Sequence, residues 1–193
     1  MAKNIQLIIG STRQNRLGAQ VAEWVKKHAE EHEGISVEVI DLKQENLPFL
    51  DAPIPPAYAP VDTPEAKAWA EKIGRGDGYI FLTPEYNRSI PASLKNALDY
   101  LVTEWKDKPA VVVSYGYIDG GQSAANHLYD VLSWLKLATA ESSVHLKLSQ
   151  EIMTEDGSIK DVDAAFGDHV AVLEAAFNEI LEHEPAAEEA VAA

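Results

Sequence analysis

The chain has 193 residues, of which 46% are hydrophobic and 24% are charged, and its formal net charge is −15. This composition is typical of a soluble globular protein, and the length favours a single domain. Nucleic acid and anionic membranes attract proteins through a positive field, so this charge argues against both as partners. The sequence contains no cysteine, which excludes disulfides, thiolate metal sites and thiol chemistry. Any redox reaction therefore needs a bound cofactor.

The first apolar run, residues 5–9, is far shorter than the roughly 18 residues that a membrane span needs. No small-residue cleavage site follows it, so we expect a cytoplasmic protein. We expect one domain over residues 1–184 and a disordered tail of alanine and glutamate over residues 185–193.

Strands and helices are predicted to alternate along the chain. Short apolar runs predict buried strands at 5–9, 35–40, 79–82 and 110–113, with a weaker fifth strand within 138–146. Apolar positions at three- and four-residue spacing predict helices at 17–32, 65–73, 91–101, 122–135 and 162–182. Six prolines between residues 47 and 64 predict a long loop there.

Five such alternations predict an α/β fold with a five-stranded parallel sheet covered by helices on both faces. Because crossovers are right-handed, the winding must reverse once to cover both faces. In the doubly wound, flavodoxin-like strand order 2-1-3-4-5, this reversal lies between strands one and three. Ligands bind there, at the carboxyl ends of the strands, so the segments after strands one, three and four are the candidate binding loops.

The loop after the first strand, residues 10–18, reads Gly-Ser-Thr-Arg-Gln-Asn-Arg-Leu-Gly and leads into a helix. Hydroxyls, guanidinium groups and the unpaired N–H groups of a helix N-terminus together favour anion binding. The sequence matches neither G-x-G-x-x-G nor the P-loop pattern, so a single phosphate ester fits better than a pyrophosphate or triphosphate. The alternative for this segment is a turn whose arginines are merely solvated.

Two more candidate loops follow strands three and four. Residues 83–91 read Thr-Pro-Glu-Tyr-Asn-Arg-Ser-Ile-Pro. Between two stiff prolines, this segment has backbone donors and an aromatic ring that could bind a flat heterocycle. Residues 114–121 contain three glycines, which permit a ligand to approach the backbone closely. Either segment alone also fits an ordinary surface loop. The three loops together predict a site for a mononucleotide with a flat ring.

One further motif, His28-Ala-Glu-Glu31-His32, matches the H-x-x-E-H pattern of certain zinc peptidases. It lies in the charged last turn of the first predicted helix, and short motifs of this kind also occur by chance. We therefore interpret it as a solvated helix end and predict no metal site.

Taken in order, the motifs resemble the NADPH-dependent FMN reductase family of flavodoxin-like proteins, which includes quinone-, azo- and chromate-reducing members. The resemblance covers about residues 4–146 and rests on segments 10–13, 84–87, 89–91, 94–97 with Asp99, and 114–116 with 120–121. It implies that FMN is held by Ser11, Arg13, Arg16, Leu17, Gly18, Pro84, Glu85, Tyr86, Asn87, Ser114, Tyr115 and Gly116. The first five would surround the phosphate and ribityl chain, and the others would border the isoalloxazine ring.

The resemblance also implies the activity, a hydride transfer from NADPH or NADH through FMN to flavin, quinone or a similar small acceptor. The flavin carries this chemistry, so no protein acid or base is expected, and backbone N–H groups of the glycine loop would stabilise the reduced ring. Family members pair through the helix that holds Lys95 and Asp99, which implies a homodimer or a dimer of dimers. An exposed ion pair within one helix is the alternative for these two residues.

Two other functions remain open at this point. Acidic flavodoxin-type electron carriers dock on basic partners by electrostatic steering, and the net charge of −15 fits such a carrier. A binding module for a sugar phosphate or nucleotide, without redox chemistry, would use the same three loops.

Overall fold

A computed structural model of the chain describes residues 2–184, and the tail predicted at 185–193 lies outside them. The strands are β1 Lys3–Ile9, β2 Ile35–Asp41, β3 Gly78–Pro84, β4 Pro109–Gly116, β5 Ala138–Thr139 and β6 Val144–Lys147. The α-helices are α1 Gly18–Glu31, α2 Leu42–Glu45, α3 Pro64–Gly74, α4 Ala92–Asp99, α5 Gln122–Trp134, α6 Val162–Phe166 and α7 Val170–Glu182. Two short 3₁₀ turns cover Gln150–Ile152 and Gly167–His169.

The strands form one parallel sheet in the order β2-β1-β3-β4, and β5 and β6 both pair with β4. This confirms the predicted fold and strand order. The single fifth strand predicted within 138–146 is wrong in detail, because its position is shared by two short strands. β5 pairs with the start of β4, where Ala138 lies opposite Pro109, and β6 pairs with its end, where Val144 lies opposite Val113.

The interruption of the fifth strand has a cause in α7. The backbone N–H groups of Glu141 and Ser142 donate to the carboxylate of Glu179, at 2.5 and 3.0 Å. Because α7 takes these donors, they are not available to the sheet between β5 and β6. The acceptor lies far along the chain, so a local sequence pattern does not reveal it.

The helix predicted over 162–182 is also interrupted, because the turn Gly167–His169 separates α6 from α7. Glycine has a low helix propensity, which favours a break at this place. The apolar stripe nevertheless continues across the break, since Phe166, Leu173 and Phe177 are all fully buried.

The short helix α2 was not predicted. The Asp41 side chain accepts a hydrogen bond from the Lys43 N–H at 3.0 Å, and Asn46, with φ 47°, ends the helix in the left-handed conformation. A capping Asp followed by a terminal Asn is a recognisable sequence signal for such a helix.

The two faces of the sheet carry separate cores. On β1, Ile5, Leu7 and Ile9 pack toward α1, α6 and α7, whereas Ile8 packs toward α3, α4 and α5. This is the alternation expected for a strand that is buried on both faces. The second core contains an aromatic cluster, formed by Trp69, Tyr79, Phe81 and Trp105. The sheet is thus a rigid base for the loops at its edge.

Lys3 ties the start of β1 to the end of α7. Its ammonium group donates to the carbonyl oxygens of Ile180, Leu181 and His183, at 3.2, 2.9 and 3.0 Å. These carbonyls carry the negative end of the helix dipole and have no partner within the helix.

Lys3→Met keeps most of the length of this side chain but removes its charge and its donors. We expect the free energy of unfolding to fall by about 1–2 kcal/mol, measured by urea denaturation. Lys26→Met removes an exposed pair with Glu30 within α1 and serves as the control, with little expected change. Equal losses in the two variants would contradict this role of Lys3.

Candidate functional site

The loops after β1, β3 and β4 contact one another at the carboxyl edge of the sheet. The hydroxyl groups of Ser11 and Tyr86 lie 2.6 Å apart and join the first loop to the second. The Glu85 N–H donates to the Tyr115 carbonyl at 3.1 Å and joins the second loop to the end of β4. The three loops therefore meet at one place, as the strand order predicts.

Between these loops lies a cavity of about 480 Å³, a size typical of small-molecule sites. Nine of the twelve predicted residues line it, namely Ser11, Arg13, Arg16, Leu17, Pro84, Glu85, Tyr86, Tyr115 and Gly116. Its other lining residues are Asn15, Tyr117, Ile118, Leu148, Met153, Asp156 and Gly157. The cavity is thus formed mostly by the loops that the sequence indicates.

Gly18, Asn87 and Ser114 are not among the lining residues. A Cβ at Gly18 would lie 2.9 Å from the Tyr115 hydroxyl, so this glycine allows the start of α1 to approach β4. Asn87 and Arg88 form the tip of a tight turn, with φ of 50° and 68°. The N–H groups of Glu85 and Tyr86 are used within the protein, whereas those of Asn87 and Arg88 donate to no group in residues 2–184.

The Ser114 side chain supports the glycine loop from inside the protein. Its buried hydroxyl donates to the Gly120 carbonyl at 2.9 Å and lies 2.7 Å from His145 Nδ1. His145 Nε2 in turn lies 2.9 Å from the Ser143 hydroxyl. Since Ser114 has one proton and gives it to Gly120, it accepts from His145, which fixes the Nδ1–H tautomer. A Cβ at Gly120 would lie 2.6 Å from the His145 carbonyl carbon, so this packing requires glycine.

A segment that was not predicted closes one side of the cavity. Met153 pairs with Ile159 in a short antiparallel bridge, and Asp156 and Gly157 lie in the turn between them. Gln20 on α1 holds this hairpin, accepting from the Ile159 N–H at 3.0 Å. The Asp-Gly pair indicates a turn in the sequence, but its position beside α1 depends on the tertiary fold.

One end of the cavity is suited to an anion. Arg16 forms an ion pair with Asp41, each side chain being 11% exposed, and its buried Nε has no partner in the described part of the chain. Arg13 is exposed, and no carboxylate of residues 2–184 lies within 4.0 Å of its guanidinium group. Leu17 precedes α1 without giving it a side-chain cap, and the first turn of this helix carries no acidic residue. The arginines and the helix dipole therefore contribute a positive potential, which Asp156 in the cavity lining opposes.

The second loop contributes an acceptor, the carboxylate of Glu85, to the cavity lining. Glu85 is largely buried, with one carboxylate oxygen 3.6 Å from Arg88 Nη1. The other oxygen, Oε2, is buried and has no partner among the described residues. A buried carboxylate oxygen without a donor is costly, so this atom suits a ligand N–H. Burial also raises the pKa of the nearby Tyr115 hydroxyl, which therefore stays uncharged.

These features fit FMN. Its phosphate matches the positive end formed by Arg13, Arg16 and α1, and the ring N–H matches the unused oxygen of Glu85. The distribution of donors and acceptors in the cavity thus agrees with the cofactor that the motifs imply.

The motif His28–Glu31–His32 is not arranged as a metal site. Within residues 2–184, no group of three acidic or histidine side chains is placed to hold a metal ion. His28 packs edge-on against Trp24, with ring centroids 5.1 Å apart. In the same part of the chain, no helix is both long and apolar enough to cross a membrane.

Comparison with known proteins identifies the family. The model of the NADPH-dependent FMN reductase family matches residues 4–150. An NAD(P)H-dependent FMN reductase of Schizosaccharomyces pombe is 37% identical over 177 residues, which cover 91% of this chain and 87% of the relative. A quinone reductase of Pseudomonas putida is 33% identical over 129 residues, covering 64% of this chain and 66% of the relative.

A solved structure agrees with these matches. The flavoenzyme NAD(P)H:(acceptor) oxidoreductase of Paracoccus denitrificans superposes with a TM-score of 0.74 and 26% identity, covering 94% of this chain and 99% of its own. The chain therefore belongs to the NADPH-dependent FMN reductase family. Membership confirms the predicted family and makes the chain an oxidoreductase that uses FMN and NAD(P)H.

The His145 network predicts a pH dependence of stability. Burial lowers the pKa of His145 below its ordinary value of about 6.5; nearby Asp119 raises it and His169 lowers it. Because the folded pKa lies below the unfolded one, the stabilising contribution is complete above about pH 6.5 and is lost as the pH falls.

We therefore expect the stability of the protein to fall between pH 7.5 and 5.5, and His145→Gln to reduce that fall. Urea midpoints measured across this range test the prediction. His127→Gln, at an exposed histidine of α5, is the control and should keep the parental pH dependence. An unchanged profile in His145→Gln would contradict the assignment.

Proposed function

We propose that the chain transfers a hydride from NAD(P)H, through FMN bound in the cavity, to flavin, quinone or a similar small acceptor. Bound FMN supplies the hydride chemistry, and the protein supplies position and electrostatics. The observation that carries the proposal is the chemistry of the cavity lining, which combines Arg13 and Arg16 of the first loop with Glu85, whose Oε2 has no partner among the described residues. Quinone reductases among the relatives support this class of acceptor.

At the cationic end, Arg13, Arg16 and the first N–H groups of α1 hold the phosphate. The ion pair with Asp41 keeps the Arg16 side chain in place and leaves Nε without a partner in the described residues. Because Asp41 already balances the charge of Arg16, we assign the larger share of the charge attraction to Arg13. The hydroxyl of Ser11, which is hydrogen-bonded to the Tyr86 hydroxyl, would contact the chain that joins phosphate and ring.

At the ring site, residues 84–86 border one side and Tyr115 and Gly116 the other. Tyr115 is 5% exposed and belongs to the core beneath the cavity, so it supports the ring site more than it covers it. Glu85 accepts the ring N–H and orients the heterocycle. Backbone N–H groups of residues 116–118, the part of the glycine loop that lines the cavity, would stabilise negative charge on the reduced ring. Hydride transfer then needs no acid or base from the protein.

We also propose that the protein is a cytoplasmic homodimer or a dimer of dimers that pairs through α4. In the single chain, Lys95 Nζ already lies 2.8 and 2.6 Å from the two carboxylate oxygens of Asp99. This ion pair is half-exposed, and both of its charges already have their partner within α4. At a subunit interface, the pair would therefore fix the side-chain positions on the surface of α4. Light scattering of the purified protein measures the oligomeric state.

A flavodoxin-type electron carrier is the second candidate, and the net charge of −15 favours it. The two candidates differ in what NADPH does to the isolated protein. A carrier depends on a partner protein for its electrons, whereas a reductase takes them directly from NADPH.

The purified protein should be yellow, and anaerobic addition of NADPH should bleach its visible flavin absorption without another protein. A spectrophotometric titration in a sealed cuvette makes this measurement. Slow or absent bleaching together with a stabilised one-electron state would favour the carrier. A colourless protein that takes up no FMN would contradict both candidates.

Substitutions at each end of the cavity test the placement of FMN. Arg13→Gln removes a charge from the phosphate end, so we expect FMN to bind about tenfold more weakly and riboflavin, which has no phosphate, to bind as before. Gly116→Ala places a Cβ 3.0 Å from the Gly121 N–H group and shifts the loop, so both flavins should bind more weakly.

Quenching of flavin fluorescence measures these affinities. Arg75→Gln is the control, because Arg75 is an exposed arginine beyond α3 and pairs with Glu38 and Glu71. If Arg13→Gln weakens FMN and riboflavin equally, the phosphate does not lie at this end.

A further inference from the structure

A second cavity, of about 510 Å³, lies next to the first. Tyr86 lines both cavities, and Thr12, which lines the second, stands in the chain between Ser11 and Arg13, which line the first. The two cavities therefore adjoin at Tyr86 and at the first loop. A long ligand with one end in the first cavity can reach the second.

The second cavity contains an exposed aromatic ring on a rigidly held loop. Phe49 is 76% exposed, yet both of its neighbours are fixed to α4. The Pro48 carbonyl accepts from Asn96 Nδ2 at 2.7 Å and from the Tyr100 hydroxyl at 3.0 Å, and the Leu50 N–H donates to Asn96 Oδ1 at 2.9 Å. An aromatic residue that is exposed but held in place binds a flat partner at low entropic cost.

The same cavity contains a cation whose charge is not balanced locally. The acidic residues nearest to Lys43 in sequence are already paired, Asp41 with Arg16 and Glu45 with Lys72. In residues 2–184, no carboxylate lies within 4.0 Å of Lys43 Nζ. Lys43 therefore creates a local positive charge on a chain whose net charge is −15. Such a charge favours an anionic ligand group.

We propose that this second cavity binds the adenosine phosphate half of NAD(P)H. Phe49 covers the adenine, and Lys43 pairs with the 2′-phosphate that distinguishes NADPH from NADH. A nicotinamide that reaches FMN in the first cavity needs a place nearby for the rest of the dinucleotide, and this cavity joins the first at Tyr86. The inference rests on the proposed function and adds a preference for NADPH, set by Lys43.

The experiment uses the FMN-loaded protein and the variants Lys43→Gln and Phe49→Ala. Steady-state kinetics give the KM for NADPH and for NADH, and calorimetry gives the affinity for adenosine 2′,5′-bisphosphate and for adenosine 5′-monophosphate. Lys43→Gln should raise the KM for NADPH about tenfold and leave the KM for NADH within about twofold. Phe49→Ala should raise the KM for NADPH and the KM for NADH, and it should weaken the binding of both adenosine ligands. Phe49→Leu removes the aromatic ring with a smaller loss of side-chain volume.

Lys26→Gln is the matched control, since it removes a positive charge on α1 away from the cavity and should leave both KM values unchanged. Equal effects of Lys43→Gln on NADPH and NADH, or no binding of the 2′,5′-bisphosphate, would overturn the inference. A change of oligomeric state in Phe49→Ala with unchanged KM values would also overturn it, because a second copy of the chain would then cover the cavity. In each of these outcomes the protein still binds FMN and oxidises NADPH. If the proposed function is wrong, the protein does not bind FMN or does not oxidise NADPH.

Discussion

The parallel pairing of β1 with both β2 and β3 is the constraint on which the site depends. Because β1 lies between these strands, α1 leaves the sheet toward one face, while α4, which follows β3, packs on the other. The two connections diverge at the carboxyl edge and leave a space between them. The loop after β4 closes that space from the neighbouring position. The site thus follows from the order of the strands, and the side chains decide what it binds.

Much of this arrangement could be predicted from the sequence. Apolar runs such as 79–82 indicate strands buried on both faces, and the alternation of strands and helices restricts the order of the sheet. Nine of the twelve predicted residues line the cavity because loops at one sheet edge must meet. The remainder depends on contacts between distant residues. Glu179 binds the backbone between β5 and β6 and so divides the fifth strand. Gly120 and His145 bind the Ser114 hydroxyl inside the protein, away from the cavity. A local sequence pattern predicts none of these contacts.

The electrostatic potential at the site also depends on ion pairs between side chains, which the amino-acid composition does not reveal. The net charge of −15 argues against binding an anion, yet two acidic residues near the site, Asp41 and Glu45, are paired with cations. Asp41 holds Arg16 and Glu45 holds Lys72, so these two carboxylates are balanced locally, whereas Asp156 in the cavity lining forms no ion pair with the described residues. Arg13 and Lys43 remain without such partners in the described residues. A few unbalanced cations in the right places are enough to attract phosphate groups to an acidic protein.

The hairpin that spans residues 153–159 has a consequence for the shape of the site. It closes the side of the cavity near Leu148, and Gln20 is its hydrogen-bonded link to α1, through the Ile159 N–H at 3.0 Å and the Ile159 carbonyl at 3.5 Å. These two bonds and the buried side chain of Ile159 both resist movement of the hairpin away from α1. One amide side chain on a helix, outside the loops that line the rest of the cavity, thus helps to fix this wall of the site.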